Sequence, residues 1–157
     1  MESQTHTVPR FFAAYAESAI QIKREANSNK DATISIEMAP MAGGDADWSK
    51  KVHFQLKPDC ELVKFSALMI GLVNELKFKN HGPDRNKSLT IKRNENNSLY
   101  VALSEGKGQS LMIVLQPESA WLIGTLAINQ LRHRLTMSFG EATSMLRLIK
   151  YGKDGQL

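Results

Sequence analysis

The fold is decided by two similar stretches of sequence, VHFQLKPDCEL at residues 52–62 and LMIVLQPESAW at residues 111–121. In each, an apolar, strand-like segment is followed by a polar residue, a proline and an acidic residue, and then by a helical pattern. Proline is tolerated at the first position of a helix, and an acidic side chain in the first turn suits the positive end of the helix dipole. The pair therefore predicts an internal repeat in which a strand leads into a helix.

Two helices are expected from these junctions. The first should run from about Pro58 to Val73, and the second from about Pro117 to His133. Apolar residues recur in both at steps of three and four, the spacing that buries one face of a helix. The predicted buried stripes are Leu62, Phe65, Met69 and Val73 in the first helix, and Ala120, Ile123, Ala127 and Leu131 in the second.

Short strand-like segments, separated by turn residues, precede each helix. Residues 10–25 are compatible with one helix or with two strands, and symmetry with the second half favours two strands. Each half then reads as four strands followed by one helix. The other predicted strands are Thr33–Met38, Lys51–Leu56, Glu75–Asn80, Lys87–Glu95, Ser98–Ser104 and Gln109–Leu115.

The predicted fold class is α+β, with two antiparallel four-stranded sheets and two helices from a duplicated ββββα unit. We expect residues 1–157 to form a single domain, with repeats over about 10–74 and 75–135 and a tail over 136–157. The tail should contain a short C-terminal helix over about 140–149. Met145, Leu146 and Ile149 are the apolar residues there that are available for packing.

The composition argues against catalytic and metal chemistry. The single Cys60 excludes an internal disulfide and a cysteine-rich zinc site, and the four histidines lack ligand spacing. Gly106-Lys107-Gly108 lacks the spacing of a phosphate-binding loop and is typical of a hairpin turn. No apolar run reaches the roughly 18 residues of a membrane span, and no signal-peptide core is evident. We expect a cytoplasmic protein that is not an enzyme and needs neither cofactor, metal nor membrane.

The positive charge of the chain is concentrated in its middle. Residues 50–115 carry eleven Lys/Arg against six Asp/Glu, whereas residues 1–49 carry four against seven. A basic segment is typical of a polyanion partner, but it is also common on a solvated surface.

Strand alternation gathers many of these cations on one kind of surface, because successive side chains point to opposite faces. Lysines neutralise phosphates and aromatic rings stack bases, so this surface predicts binding of single-stranded nucleic acid. Antiparallel sheets also commonly turn a lysine-bearing face to water, and that interpretation stays open. The predicted outward residues, among which acids are almost absent, are Lys23, Lys51, His53, Lys57, Lys77, Lys79, Lys92 and Tyr100.

One segment resembles a known family. Ala39-Pro40-Met41-Ala42-Gly43 followed by Asp47-Trp48-Ser49-Lys50-Lys51, with Phe54 and Leu56 beyond it, is similar to the Whirly single-stranded DNA-binding proteins. Arg10-Phe11 with Tyr15 resembles the opening strand of that family. The resemblance covers residues 8–135 and is strongest over 36–56.

The resemblance implies two packed sheets with one helix per half, assembled as homotetramers whose helices surround a central axis. It implies single-stranded DNA bound along sheet surfaces with little sequence preference, in replication, recombination or repair. By matching position, Trp48, Lys50 and Lys51 are carried over to that surface. We expect Phe12, Trp48 and Tyr100 to stack bases. The alternatives are an RNA-binding or RNA-annealing protein of the same fold, and a protein–protein scaffold.

Overall fold

Nine strands and three helices make up the computed structural model, which describes residues 10–150. A single turn of 3-10 helix at Trp48–Lys50 lies between the fourth and fifth strands. The strands are β1 (Arg10–Ala14), β2 (Ser18–Ala26), β3 (Ala32–Ala42), β4 (Asp45–Ala46), β5 (Val52–Gln55), β6 (Glu75–His81), β7 (Lys87–Arg93), β8 (Leu99–Glu105) and β9 (Gln109–Leu115). The helices are α1 (Glu61–Met69), α2 (Pro117–Leu135) and α3 (Phe139–Leu148).

The strands form two antiparallel sheets, one in each half of the sequence. The first sheet has the order β1-β2-β3-β5, and the two-residue β4 pairs with the end of β3. The second sheet has the order β6-β7-β8-β9. The predicted α+β class, with four strands and a helix in each half and a short C-terminal helix, is confirmed. The segment over residues 10–25 forms two strands.

Helix α1 is shorter than predicted at both ends. It begins at Glu61 rather than Pro58, because the Leu62 amide bonds back to the Lys57 carbonyl and closes a turn before the helix starts. It ends at Met69, and Gly71 follows with a φ of +84°. Glycine adopts this left-handed conformation easily and commonly ends a helix. Val73 is buried as predicted, although it lies outside the helix.

Helix α2 buries the predicted stripe of Ala120, Ile123, Ala127 and Leu131 and extends two residues further than expected. Helix α3 begins with a capping box, in which the Ser138 side chain accepts from the Glu141 amide and Glu141 accepts from the Ser138 amide.

The apolar face of α3 differs in part from the prediction. Leu146 is buried and Ile149 packs against the core, but Met145 is 51% exposed. The prediction that Met145 packs is therefore wrong: its neighbour Leu146 occupies the face turned toward the core. Residues 151–157 of the predicted tail lie outside the described residues, as do residues 1–9.

Both sheets turn their apolar faces to one shared core. The core joins strand residues of each half, such as Ile36 and Val101, with helix residues such as Phe65 and Ile128. The outer face of each sheet is thereby left to the side chains that point away from the core, most of them polar. This division positions the candidate site.

Polar contacts also cross between the halves. The Gln130 side chain on α2 donates to the carbonyls of Glu25 and Thr33 in the first sheet, at 3.1 and 2.8 Å. Arg93 of the second sheet donates through Nη2 to the Leu68 carbonyl near the end of α1, at 2.6 Å. Each half therefore satisfies buried polar groups of the other.

Over residues 10–150, no helix has both the length and the apolar character required to cross a membrane.

Candidate nucleic-acid interface

The outer face of the first sheet carries Lys23, Lys51 and His53, as the alternation predicts. Gln21 lies opposite Glu37 on β3, and Glu37 lies opposite His53 on β5. Glu37 therefore occupies the middle of this face. We call this the first outer face.

Glu37 neutralises the two lysines beside it. The residue is only 1% exposed, and its carboxylate pairs with the Lys23 ammonium at 2.8 Å and with the Lys51 ammonium. Gln21 adds a hydrogen bond through Nε2 at 3.2 Å. Burial by itself would raise the pKa of Glu37, but hydrogen bonds and Coulombic attraction from the two lysines lower it to about 2. The carboxylate is therefore charged at neutral pH.

A second acid lies on the first outer face. Glu25 Oε2 is 3.3 Å from Nε2 of His53. Burial opposes ionisation of Glu25, but a hydrogen bond from Gln55 and the nearby His53 outweigh it, and the pKa of Glu25 is lowered. The prediction that acids are almost absent from the outward surface is therefore wrong for this sheet. It overlooked the alternation of β3, which places Glu37 on the same side as the lysines.

An aromatic pair lies on the same side of the molecule. The rings of Phe12 and Trp48 have centroids 6.3 Å apart, tilted by 47°, and Phe12 is exposed. The Arg10 guanidinium lies 6.0 Å from the Phe12 ring centroid. The two rings thus form an aromatic pair in which Phe12 is half exposed and Trp48 is half-buried.

The turn of 3-10 helix holds Trp48 and Lys50 in position. Asp47 caps it by accepting from the Ser49 hydroxyl and from the Ser49 amide at 3.2 Å, and these hydrogen bonds, the hydroxyl's above all, lower the pKa of Asp47. Lys50 is exposed, with its ammonium 3.9 Å from Asp47, at the outer limit of an ion pair. The Gln109 side chain of β9 donates to the Lys50 carbonyl and ties this turn to the second sheet.

The outer face of the second sheet, the second outer face, carries Lys77, Lys92 and Tyr100. Lys92 lies directly opposite Tyr100 on β8 and opposite Glu75 on β6. Lys79 follows on β6, and Lys77, Lys79 and Lys92 are all exposed. Facing cross-strand neighbours lie within about 5.5 Å of one another, so a cation and an aromatic ring are presented side by side.

The second outer face is less neutralised than the first. Its acid, Glu75, pairs with Lys77 at 3.6 Å, and both side chains are substantially exposed. Within residues 10–150, Lys79 and Lys92 form no ion pair. An exposed pair in water contributes little energy, so even Lys77 stays available to a phosphate.

Apolar side chains continue the second outer face along β9. Val114 lies opposite Tyr100 and Met112 lies opposite Ala102, and both are exposed. The sequence interpretation missed them. They could have been found from the alternation of residues 111–115. Leu111, Ile113 and Leu115 are buried, so the residues between them point outward.

The predicted site residues thus fall on two outer faces rather than one surface. Each sheet turns its apolar side to the shared core, so the faces opposite the core belong to different sheets. The sheets touch where the Lys87 ammonium donates to the His53 carbonyl at 2.9 Å and where Gln109 reaches Lys50. The first outer face holds Phe12, Lys23, Trp48, Lys50, Lys51 and His53, and the second holds Lys77, Lys79, Lys92 and Tyr100. Lys57 is exposed beyond the end of β5.

The thiol and the potential metal ligands of the chain bear on other kinds of chemistry. Cys60 is exposed with a free thiol at the start of α1. Within the described part of the chain, no three His, Cys, Asp or Glu side chains are grouped closely enough to hold a metal ion.

Comparison with known proteins finds a protein of similar fold but none of similar sequence. No protein-family model matches the sequence, and a search of curated proteins finds no match. The structure is similar to that of Trypanosoma bruciei MRP1/MRP2, with a TM-score of 0.62 over 84% of this chain and 89% of that one. At 9% sequence identity, this chain shares with MRP1/MRP2 an overall arrangement of strands and helices.

Proposed function

We propose that the chain is a single-stranded DNA-binding protein without enzymatic activity, acting in DNA replication, recombination or repair. The observation that carries the proposal is the second outer face, where Lys92 stands beside Tyr100 and the lysines of β6 lie next to them. Such a face combines free ammonium groups for phosphates with a ring for bases. Neither contact reads base edges, so little sequence preference is expected.

The first outer face supports the same function in a secondary way. Phe12 and Trp48 offer rings, and Lys50 offers an exposed ammonium. Lys23 and Lys51 are already paired with Glu37, so a phosphate must compete with that carboxylate for them. We therefore assign most of the electrostatic attraction to the second outer face.

The experiment that tests this function is binding of a fluorescent 32-nucleotide DNA followed by anisotropy. We expect tight binding at low salt that weakens steeply as salt is added, because counterions return to the phosphates. A duplex of the same sequence should bind much more weakly, since its bases cannot reach the rings. Equal or tighter binding of the duplex rejects the proposal, and a preference for a matched RNA strand favours the RNA-binding alternative.

We further propose that the protein is a remote member of the Whirly family that acts in the cytoplasm as a homotetramer. Two four-stranded sheets, each followed by a helix, are what the sequence resemblance implies. On α2, Trp121 is 73% exposed and lines a groove of about 600 Å³, and its neighbour Leu122 is also exposed. A Trp this exposed is typical of a surface that another protein covers.

Light scattering after size-exclusion chromatography tests the assembly. We expect a particle of four times the chain mass of 17.5 kDa. The Trp121→Glu variant should dissociate it, because a charge would have to be buried without a partner. The matched control is Leu148→Glu on α3, which changes an equally exposed residue that is not part of the groove lining. A wild-type protein that stays monomeric contradicts the tetramer.

A further inference from the structure

A second cleft, of about 500 Å³, opens where the free edge of β5 meets the turn between β6 and β7. We call it the edge cleft. Its lining includes Lys57, Lys87, His53, His81 and Gln55, and none of its lining residues among those described is an aspartate or glutamate. Two lysines in a lining whose described residues hold no carboxylate favour an anionic ligand.

Lys87 is fixed in place at the edge cleft. Its side chain is 16% exposed, and its ammonium donates to the His53 carbonyl at 2.9 Å. The stem of the lysine passes over Gly82, where an added Cβ would lie 3.2 Å from Cδ and Cε of Lys87. The ammonium also lies 4.0 Å from Glu105, the outer limit of an ion pair. An ammonium carries three protons, so one or more stays free to bind a ligand.

The two imidazoles of the edge cleft are each held by a carboxylate outside its lining. Nε2 of His81 is 2.8 Å from Glu61, and Nε2 of His53 is 3.3 Å from Glu25. The His81 ring also stacks on Phe54, with centroids 3.9 Å apart. A carboxylate on one ring nitrogen orients the imidazole, so the two rings are fixed elements of the cleft wall.

We infer that the edge cleft binds a phosphomonoester group. Ammonium groups donate charge-assisted hydrogen bonds to phosphate oxygens, and a terminal phosphate carries more negative charge than an internal phosphodiester. The group could come from the phosphorylated end of a nucleic-acid strand or from a free nucleotide. For the strand end, the inference rests on the proposed function; for a free nucleotide it does not.

Two measurements on the full chain test the inference. In the first, one unlabelled DNA 12-mer, prepared with a 5′-phosphate, with a 3′-phosphate or with neither, competes with a labelled strand. We expect a phosphorylated end to compete about tenfold better, as one charge-assisted hydrogen bond predicts. In the second, isothermal titration calorimetry with inorganic phosphate and with a nucleoside monophosphate detects a free ligand.

Three variants localise the effect. Lys87→Met keeps the lysine stem over Gly82 and removes the charge, and Lys57→Met changes an exposed residue whose loss leaves the core untouched. Both should lower the preference for phosphate. The control is Lys107→Met, on the exposed turn between β8 and β9 and outside the cleft lining, which should keep that preference.

Each outcome decides for or against the inference. A preference for a phosphorylated end, or calorimetric binding of phosphate or nucleotide, supports it when Lys57→Met or Lys87→Met lowers the binding. Strand binding that ignores terminal phosphates, together with silent calorimetry, overturns it and leaves the proposed function standing. If no strand binds but free nucleotide does, the proposed function fails and the edge cleft remains a phosphate site.

Discussion

The two outer faces carry similar lysines in different electrostatic surroundings. On the first, Lys23 and Lys51 share the buried carboxylate of Glu37. On the second, Lys79 and Lys92 have no acidic partner within residues 10–150, and Lys77 has an exposed one. The difference shows that the number of lysines on a face does not by itself determine how well the face binds phosphate groups. What matters is whether a carboxylate already holds the ammonium groups.

The largest effect is expected from reversing the two unpaired charges. The double variant Lys79→Glu/Lys92→Glu removes two ammonium groups that would neutralise phosphates and puts two repelling carboxylates in their place. The slope of log K against log salt should shrink by about 0.7 for each phosphate of a single strand that is no longer neutralised, and the affinity at low salt should fall at least about tenfold. Anisotropy titrations at several salt concentrations measure both quantities.

The control for that reversal is Lys30→Glu, which changes an exposed lysine on the turn between β2 and β3, away from the second outer face. It should change the slope of log K against log salt by less than about 0.7, the contribution of one phosphate. If the double variant also keeps the wild-type slope, the second outer face does not carry the binding and the comparison between the faces is reversed.

An intermediate effect is expected from the ring of the second outer face. Tyr100→Leu keeps apolar volume but removes the stacking surface, which should cost about 1–3 kcal/mol of binding free energy if one base stacks there. Trp48→Leu should cost less, because Lys23 and Lys51 on the same face are held by Glu37. Anisotropy with an oligothymidine compares the two variants. A larger loss for Trp48→Leu would move the main stacking site to the first outer face.

The smallest effect on binding is expected from Glu37→Gln. The neutral amide releases Lys23 and Lys51 to bind phosphate, so the affinity for DNA should rise about two- to fivefold, within the range of a weak charge interaction. Unchanged or lower affinity would mean that these lysines do not meet the strand. The matched variant is Glu75→Gln on the second outer face, whose acid is exposed and should matter less.

The same substitution should alter the response of folding to acid. The folded-state pKa of Glu37 is lowered from 4.5 to about 2, so its contribution to stability is complete above pH 4.5 and is lost as pH falls toward 2. Glu37→Gln should remove this loss of stability between pH 4.5 and 2. It should also lower the free energy of unfolding at pH 7 by about 1–3 kcal/mol, because two lysines lose their partner. Urea unfolding between pH 7 and 2 measures both. An acid dependence identical to wild type would show that the ion pairs contribute nothing.

Local patterns predicted most of the fold. The proline junctions marked both helices, and the buried stripe of α2 followed from the spacing of its apolar residues. The start of α1 was misplaced because a turn closed by the Lys57 carbonyl occupies the residues after Pro58. Such a turn depends on tertiary placement, which residue spacing does not encode.

The candidate site was predicted residue by residue but not as a surface. Alternation correctly predicted that the lysines point outward. It does not predict which residues of other strands lie beside them on the same face. Glu37 shows the limit: its position on β3 was readable, whereas its ion pairs with Lys23 and Lys51 depend on strands that are paired across sequence distance. The edge cleft likewise combines residues of both halves.

The hydrogen bonds of Gln130 and Arg93 limit how the molecule can be divided. Although the sequence reads as two tandem units, the first unit alone would leave the carbonyls of Glu25, Thr33 and Leu68 without these donors. The second unit alone would leave the Gln130 and Arg93 side chains without these acceptors. A cut in the linker before β6 should therefore yield fragments that recover structure only when mixed. We therefore expect the two repeats to unfold together as one cooperative unit.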